Sequence, residues 1–231
     1  MSIYAISDLH LSFGEGIDKP MDIYGGEWTD HPCKLKKIWT QTIAPEDTVI
    51  LAGDISWALK LHDAMPDLDW IDSLPGRKLI VKGNHDLWWT GITRMNRLYE
   101  NIAFLQNTFY PAEGWAICGS RGWLCPGSEG FTLQDEKIYR RELLRLRASL
   151  ASARDSGFSK ILGVMHYPPA NDKFQPSGFM DLFSEFGADT VVYGHLHGED
   201  ACGHAFERNM NGVEYRMVSL DYLKNRPLRL K

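Results

Sequence analysis

Five short apolar runs in this chain each stop on an Asp, Asn or His. Ile3–Ile6 leads into Asp8-Leu9-His10, residues 49–52 into Gly53-Asp54, and residues 79–81 into Gly83-Asn84-His85-Asp86. Residues 161–165 end at His166, and residues 191–193 at Gly194-His195-Leu196-His197. Short β-branched runs closed by Gly or a polar residue read as buried strands. Helical patterns fall between them at residues 34–43, 59–74 (broken near Pro66) and 92–100. The longest, at residues 134–156, carries an inner stripe of Leu143, Leu146, Leu150 and Ala153. Thr132 with Asp135 reads as its capping pair, and Gly157 as its stop. Residues 101–123 predict two or three strands with turns at Pro111 and Gly114. Residues 202–208 and 213–220 predict a hairpin about Asn211-Gly212. Residues 11–33 form a glycine-rich loop of a length that is often functional. With no internal repeat or linker, residues 1–231 are expected to form one α/β domain.

Composition narrows the function classes. The chain is 44% hydrophobic and 24% charged, as ordinary soluble globular proteins are. Thirty acidic against 25 basic side chains give a net charge of −5. That balance argues against a nucleic acid polymer as partner, because polyanion binding rests on a basic face. A small phosphorylated substrate remains compatible, since bound metal reverses the local field. Cys33, Cys118, Cys125 and Cys202 form no CxxC pair, which disfavours structural zinc and a disulfide framework. Reduced thiols in a cytoplasm are the simplest expectation. A cleaved leader is excluded if Ile3–Ile6 is a core strand, and no apolar stretch reaches the ~20 residues of a membrane span.

Carboxylates, imidazoles and one amide oxygen, with no thiolate, suit manganese, iron, zinc or nickel. Asp8 and His10 are two apart, so on an extended strand end they share a side, and His195 and His197 repeat that spacing. Asp8, His10, Asp54, Asn84, His166, His195 and His197 are too many ligands for one tetrahedral site. They suit two divalent ions sharing a carboxylate, the arrangement used for in-line phosphoryl transfer. Two such ions outweigh Asp8, Asp54 and a bridging hydroxide, leaving a positive cleft for a phosphate oxygen.

These motifs, in this order across residues 8–197, resemble the calcineurin-like metallophosphoesterases. The resemblance implies a four-layer α/β fold, two mixed β-sheets packed as a sandwich flanked by helices. It also implies a division of ligands. Asp8, His10 and His197 would hold one ion, Asn84, His166 and His195 the other, with Asp54 bridging and serving catalysis. His85, unligated, would protonate the leaving group, a role that suits a free imidazole beside two cations. The implied activity is hydrolysis of a phosphate mono- or diester by a hydroxide bridging the two ions. A DNA-acting nuclease of the same superfamily and a non-catalytic scaffold are the alternatives.

The chain departs from some branches of that family. Protein phosphatases carry Gly-Asp-x-Val-Asp-Arg-Gly, whereas Gly53-Asp54 continues here as Ile55-Ser56-Trp57-Ala58. The carboxylate expected to orient His85 is therefore missing, and Asp86 is the nearby substitute in sequence. Lipid A pathway hydrolases usually place Arg where His85 stands, and nucleases of the group generally add a capping domain for which no room follows Lys231. Compact bacterial phosphodiesterases fit best.

Each remaining candidate has a bland reading that outweighs the sharp one. His31, His62 and His204 are expected to be surface or hydrogen-bonded residues. Trp28, Trp57, Trp88, Trp89 and Trp123 are expected mainly in the core, with Trp88 or Trp89 as the candidates to border substrate. Arg121 reads first as a surface salt bridge and second as a phosphate contact. Pro168-Pro169 is expected to stiffen the His166 loop, and residues 172–178 read as a lid or a solvated turn.

Overall fold

Alternate residues of each apolar run enter different cores. In the strand Thr48–Leu51, Val49 and Leu51 face one hydrophobic cluster while Ile50 faces another. A strand buried on both faces needs this unbroken apolar character, and it commits the sheet to a cover on either side. The computed structural model describes residues 1–203 and 205–231, so His204 lies outside the described residues.

In chain order the elements are β1 (Ile3–Ile6), α1 (His31–Thr42), β2 (Thr48–Leu51), α2 (Leu61–Asp72) and β3 (Arg77–Val81). They continue through α3 (Ile92–Met95), β4 (Ile102–Leu105), β5 (Phe109–Ala112), β6 (Trp115–Gly119) and α4 (Leu133–Asp155). The rest are β7 (Ile161–Val164), α5 (Gly178–Glu185), β8 (Ala188–Tyr193), α6 (Gly198–Gly203), β9 (Arg208–Met210), β10 (Val213–Met217) and β11 (Leu228–Arg229). One sheet has the order β11-β1-β2-β3-β4, the other β5-β6-β7-β8-β10-β9. Both are mixed. β1 to β4 run parallel with β11 antiparallel at the edge, and β6, β7, β8 and β10 run parallel between antiparallel β5 and β9.

The sheets face each other across Ile3, Ala5, Ile50 and Leu79 on one side and Ile117, Leu162, Val164 and Val192 on the other. α1 and α2 cover the outer face of the first sheet through Leu35, Trp39, Leu68 and Ile71. α4 and α5 cover the second through Leu146, Leu150, Phe179 and Phe183. The fold is thus the expected four-layer α/β sandwich. In parallel strands all carboxyl ends point one way, which gathers the loops after β1, β2, β3, β7 and β8 at one rim.

Several local expectations need correction. Pro66 does not break α2, which runs unbroken through it, held by buried Ala64, Leu68 and Ile71. Pro111 lies inside β5, an edge strand where a missing N–H is tolerated, and the turn falls at Glu113-Gly114. α3 is a single turn, not a helix to residue 100. Residues 198–203 are helical, so only β9 pairs with β10 across Asn211-Gly212. The capping box of Thr132 and Asp135 at α4 forms as read. The inner face of α4, however, carries Glu142 and Ser149 among its buried residues, while Leu143 is only partly buried.

Lys78 of β3 is 1% exposed, and its ammonium donates to the carbonyls of Asp72 and Leu74 at the end of α2. Burial pushes its pKa down from 10.5 to about 8, against the pull of Asp72. Between those values the unfolded chain holds the extra proton, so stability should rise with pH across that window. The melting temperature of the wild type relative to Lys78→Met should therefore climb between pH 8 and 10. A pH-independent difference between the two proteins would contradict this.

Candidate metal centre

The seven ligand candidates converge at the shared rim. Asp8 and His10 follow β1, Asp54 follows β2 and Asn84 follows β3, all from the first sheet. His166 follows β7, and His195 and His197 follow β8, from the second. The site spans the seam between the sheets. Asp8 and His10 do face it together, but not because they continue a strand. Both are left-handed (φ 61° and 44°), as are Asp54 (φ 53°) and His195 (φ 75°). Non-glycine residues rarely adopt this conformation, and clusters of it mark positions held for function. The loops also lie too close for side chains: a Cβ on Gly83 would strike Asp54, and one on Gly194 would strike Ser7 and Asp8.

Two sets of donor atoms result, Asp8, His10 and His197 in one and Asp54, His166 and His195 in the other, with the atoms of each set within 4.8 Å of one another. Asp54 Oδ2 lies 3.4 Å from His166 Nε2 and 3.8 Å from His10 Nε2, so one carboxylate oxygen faces both sets. Asn84 Oδ1 lies 2.7 Å from His166 Nε2, and His195 Nδ1 lies 3.2 Å from the same nitrogen. His166 Nδ1 is committed to the Ala52 carbonyl at 3.0 Å, which turns Nε2 inward towards the other donors. His10 Nδ1 and His197 Nε2 are buried without a hydrogen-bond partner among the described residues. Converging carboxylate, amide and imidazole donors, two of them buried ring nitrogens with unmet hydrogen-bonding capacity, fit a pair of divalent cations.

Electrostatics point the same way. Burial pushes His10 and His195 down to about 4, which leaves both imidazoles neutral, the form that binds metal. Burial disfavours charge on His197 too, but Asp221 and Asp8 outweigh it and raise its pKa to about 10. His166 is likewise raised by Asp54 and Asp8 against its burial. Asp8 and Asp54 fall below the usual carboxylate range despite burial, held there chiefly by His197 and His166 respectively. The carboxylates thus draw positive charge onto neighbouring imidazoles, the charge that bound cations supply.

Several supporting residues escaped the sequence reading. Asp221 Oδ1 accepts from His197 Nδ1 at 3.1 Å, and its Oδ2 accepts from Gly198 N at 2.9 Å. It lies in a turn after β10, with no motif around it. Ser7 donates to Asp8 Oδ2, and His195 N donates to the same oxygen at 3.0 Å. Tyr167 packs on the His195 ring at a centroid distance of 4.3 Å.

Asp86 does not orient His85. Its buried carboxylate accepts from Gly83 N at 2.7 Å, Ile55 N at 2.8 Å, Asp54 N at 3.0 Å, Ser56 N at 3.3 Å and Trp88 Nε1 at 3.1 Å. His85 Nε2 lies 4.0 Å from Asp54 Oδ2, with its side chain 45% exposed. Its ring sits 4.4 Å from that of Trp57, which also stacks on His10 at 4.7 Å. Trp28 lies edge-on to His197 at 5.4 Å.

The other candidates separate clearly. Trp88 is 1% exposed and packs on Phe104, so it is a core residue and not a substrate contact. Trp89 is partly buried against the same phenylalanine. Arg121 forms the ion pair rather than a free phosphate contact: it lies 3.7 Å from buried Glu142 and over the Trp123 ring, with only 15% of its side chain exposed. His31 is buried between the carbonyls of Leu9 and Trp28, and exposed His62 pairs with Asp63. Residues 172–177 form a connection into α5 fastened by Asn171, whose Oδ1 accepts from Lys173 N and Gln175 N, and Gly178 already belongs to the helix.

A carboxylate behind a metal-binding imidazole typically contributes ~10–100-fold in metal affinity. Asp221→Asn should weaken binding at the Asp8–His10–His197 set by about that factor, read by competition with a chromogenic chelator, while the second ion stays tight. Equal weakening of both ions would assign Asp221 to general stability.

The comparisons with known proteins agree with this geometry. Over 110 residues the chain is 30% identical to the "Gene 66 protein" of Mycobacterium phage D29, covering 46% of this chain and 53% of that protein. Over 82 residues it is 35% identical to the "Gene 66 protein" of Mycobacterium phage L5, covering 35% of this chain and 37% of that one. The match thus spans about half or less of those relatives. Among solved structures, TT1561 of Thermus thermophilus superposes with a TM-score of 0.59 at 14% identity, covering 99% of this chain and 97% of that one. A phosphopantetheinyl hydrolase from Mycobacterium tuberculosis gives 0.55 at 17% identity, covering 99% and 95%. At such identities the likeness concerns the fold. The calcineurin-like phosphoesterase profile matches residues 1–199, and the chain belongs to that family.

Proposed function

We propose that this protein is a metal-dependent phosphohydrolase acting on a small phosphate mono- or diester. The supporting observation is Asp54 Oδ2, which faces both donor sets, with the unligated His85 4.0 Å away. Asp8, His10 and His197 would hold one divalent ion and Asn84, His166 and His195 the other, with Asp54 shared. Manganese, iron, zinc and nickel all suit these donors. Bound at these residues, such ions supply Lewis acidity towards phosphoryl oxygens and acidify water.

The chain's own residues supply the rest. Asp86 holds Asp54 in place by gripping its backbone N–H. His85 N donates to Asp54 Oδ1 at 2.8 Å, which fixes the His85 backbone beside the shared carboxylate. The half-exposed imidazole then hands its proton to the departing ester oxygen. Trp57, packed on both His10 and His85, excludes water from one side of the His85 ring.

Metal-stripped protein reloaded with each of the four metals should bind two ions per chain. It should turn over bis-p-nitrophenyl phosphate or p-nitrophenyl phosphate, and chelation should abolish that turnover. Absence of turnover with every metal would refute the reading. On an ester whose leaving group is an alcohol, which must depart protonated, His85→Ala should keep both ions yet lose roughly 10²–10⁴-fold in rate, as loss of a general acid does. Loss of bound metal in that variant would reassign His85 as a ligand.

A further inference from the structure

The backbone of His85 is fixed by its N–H on Asp54 Oδ1, but its imidazole has no such tether. Among the described residues its ring nitrogens make no hydrogen bond. Asp54 Oδ2 lies 4.0 Å from Nε2, and Asp86 is committed to backbone N–H groups and Trp88. Rotation of an imidazole about its second side-chain torsion is soft. A proton donor must nevertheless meet the departing oxygen within a narrow range of angles, so the ring needs a rigid neighbour.

Trp57 has that rigidity. Ile55 N and Ser56 N donate to Asp86, Ser56 Oγ donates to buried Asp67, and Trp57 N donates to the Leu11 carbonyl at 3.0 Å. The ring centroids form a triangle: Trp57 to His85 4.4 Å, Trp57 to His10 4.7 Å, His10 to His85 5.6 Å. His10 lies nearly parallel to the indole at 22°, whereas His85 leans against it at 56°. The indole is partly buried on the hydrophobic core beneath it, and the Lys19 ammonium lies 6.0 Å from its ring. Side chains thus take up its surface, which suits it to hold a ring rather than to bind substrate. We infer that Trp57 is the positioning residue of the His85 imidazole, setting it for proton transfer by ring packing where no carboxylate orients it. The inference deepens the phosphohydrolase reading above and rests on it. The proton passes from the imidazole to the ester oxygen as the P–O bond breaks, so Trp57 matters most where that oxygen is strongly basic.

The test compares a p-nitrophenyl ester with the benzyl ester of the same phosphate class, on protein loaded with two ions. Trp57→Leu should lower kcat on the benzyl ester roughly 10²-fold more than on the p-nitrophenyl ester, as misplacing a reacting group does. KM should hold steady, and Trp57→Phe should retain most of the benzyl rate. In the His85→Ala background Trp57→Leu should cause no further loss on the benzyl ester, because the two residues act as a unit. Independently of activity, NMR of the metal-free protein should show the His85 ring protons shifted upfield in the wild type and Trp57→Phe but not in Trp57→Leu. An equal loss on both esters, a loss that persists without His85, or unmoved His85 protons overturns the inference and leaves the phosphohydrolase reading standing. Loss of bound metal in Trp57→Leu also overturns it, by assigning the indole to His10, as does a wild type that cleaves the p-nitrophenyl ester alone. Turnover of neither ester with any of the four metals overturns both readings.

Discussion

One buried carboxylate organises the rim of this protein. Asp86 collects N–H groups from the loop after β2 and the loop after β3, so Asp54–Ser56 and Gly83 cannot separate without stranding an anion in the core. Leaving such a charge unpaired is among the costliest changes a core can suffer. The grip also explains the glycine at 83, because Asp54 lies where any side chain there would project. Asp54 is thereby presented to both donor sets by the Asp86 carboxylate at its N–H and by His85 N at its Oδ1.

The remaining order comes from the two sheets sharing one apolar interface. The first sheet delivers Asp8, His10, Asp54 and Asn84, the second His166, His195 and His197, and neither carries a full donor set for both ions. Three cross-sheet bonds knit the halves at the site itself: His195 N to Asp8, His166 Nδ1 to the Ala52 carbonyl, and His166 Nε2 to Asn84 Oδ1. Sliding one sheet by a residue would move every ligand of that sheet out of reach. The fit of Ile50 and Leu79 against Leu162 and Val192 is thus part of the chemistry.

Much of this was legible in the sequence because strands buried on both faces must be apolar and must stop somewhere. A polar residue at the stop is conspicuous, which exposed all seven of the residues that converge at the rim. The spacing argument for Asp8 and His10 reached the right result by the wrong geometry, since both sit in left-handed turns that no alternation rule describes. Asp221 was invisible because a lone Asp in a turn has no pattern, and its partner is 24 positions away. Asp86 was noticed but given the wrong task, because a sequence does not show which way a carboxylate points. Pro66 and Pro111 misled for a common reason: tertiary burial and an edge position each tolerate a residue that local rules treat as a break.

The pairing of β11 with β1 carries a consequence for biosynthesis. Tyr4 and Ala5 are bridged to Arg229 and Leu228, so β1 gains its outer neighbour only from a strand synthesised more than 220 positions later. Until then β1 presents an open edge, the kind of surface that invites pairing with a neighbouring nascent chain.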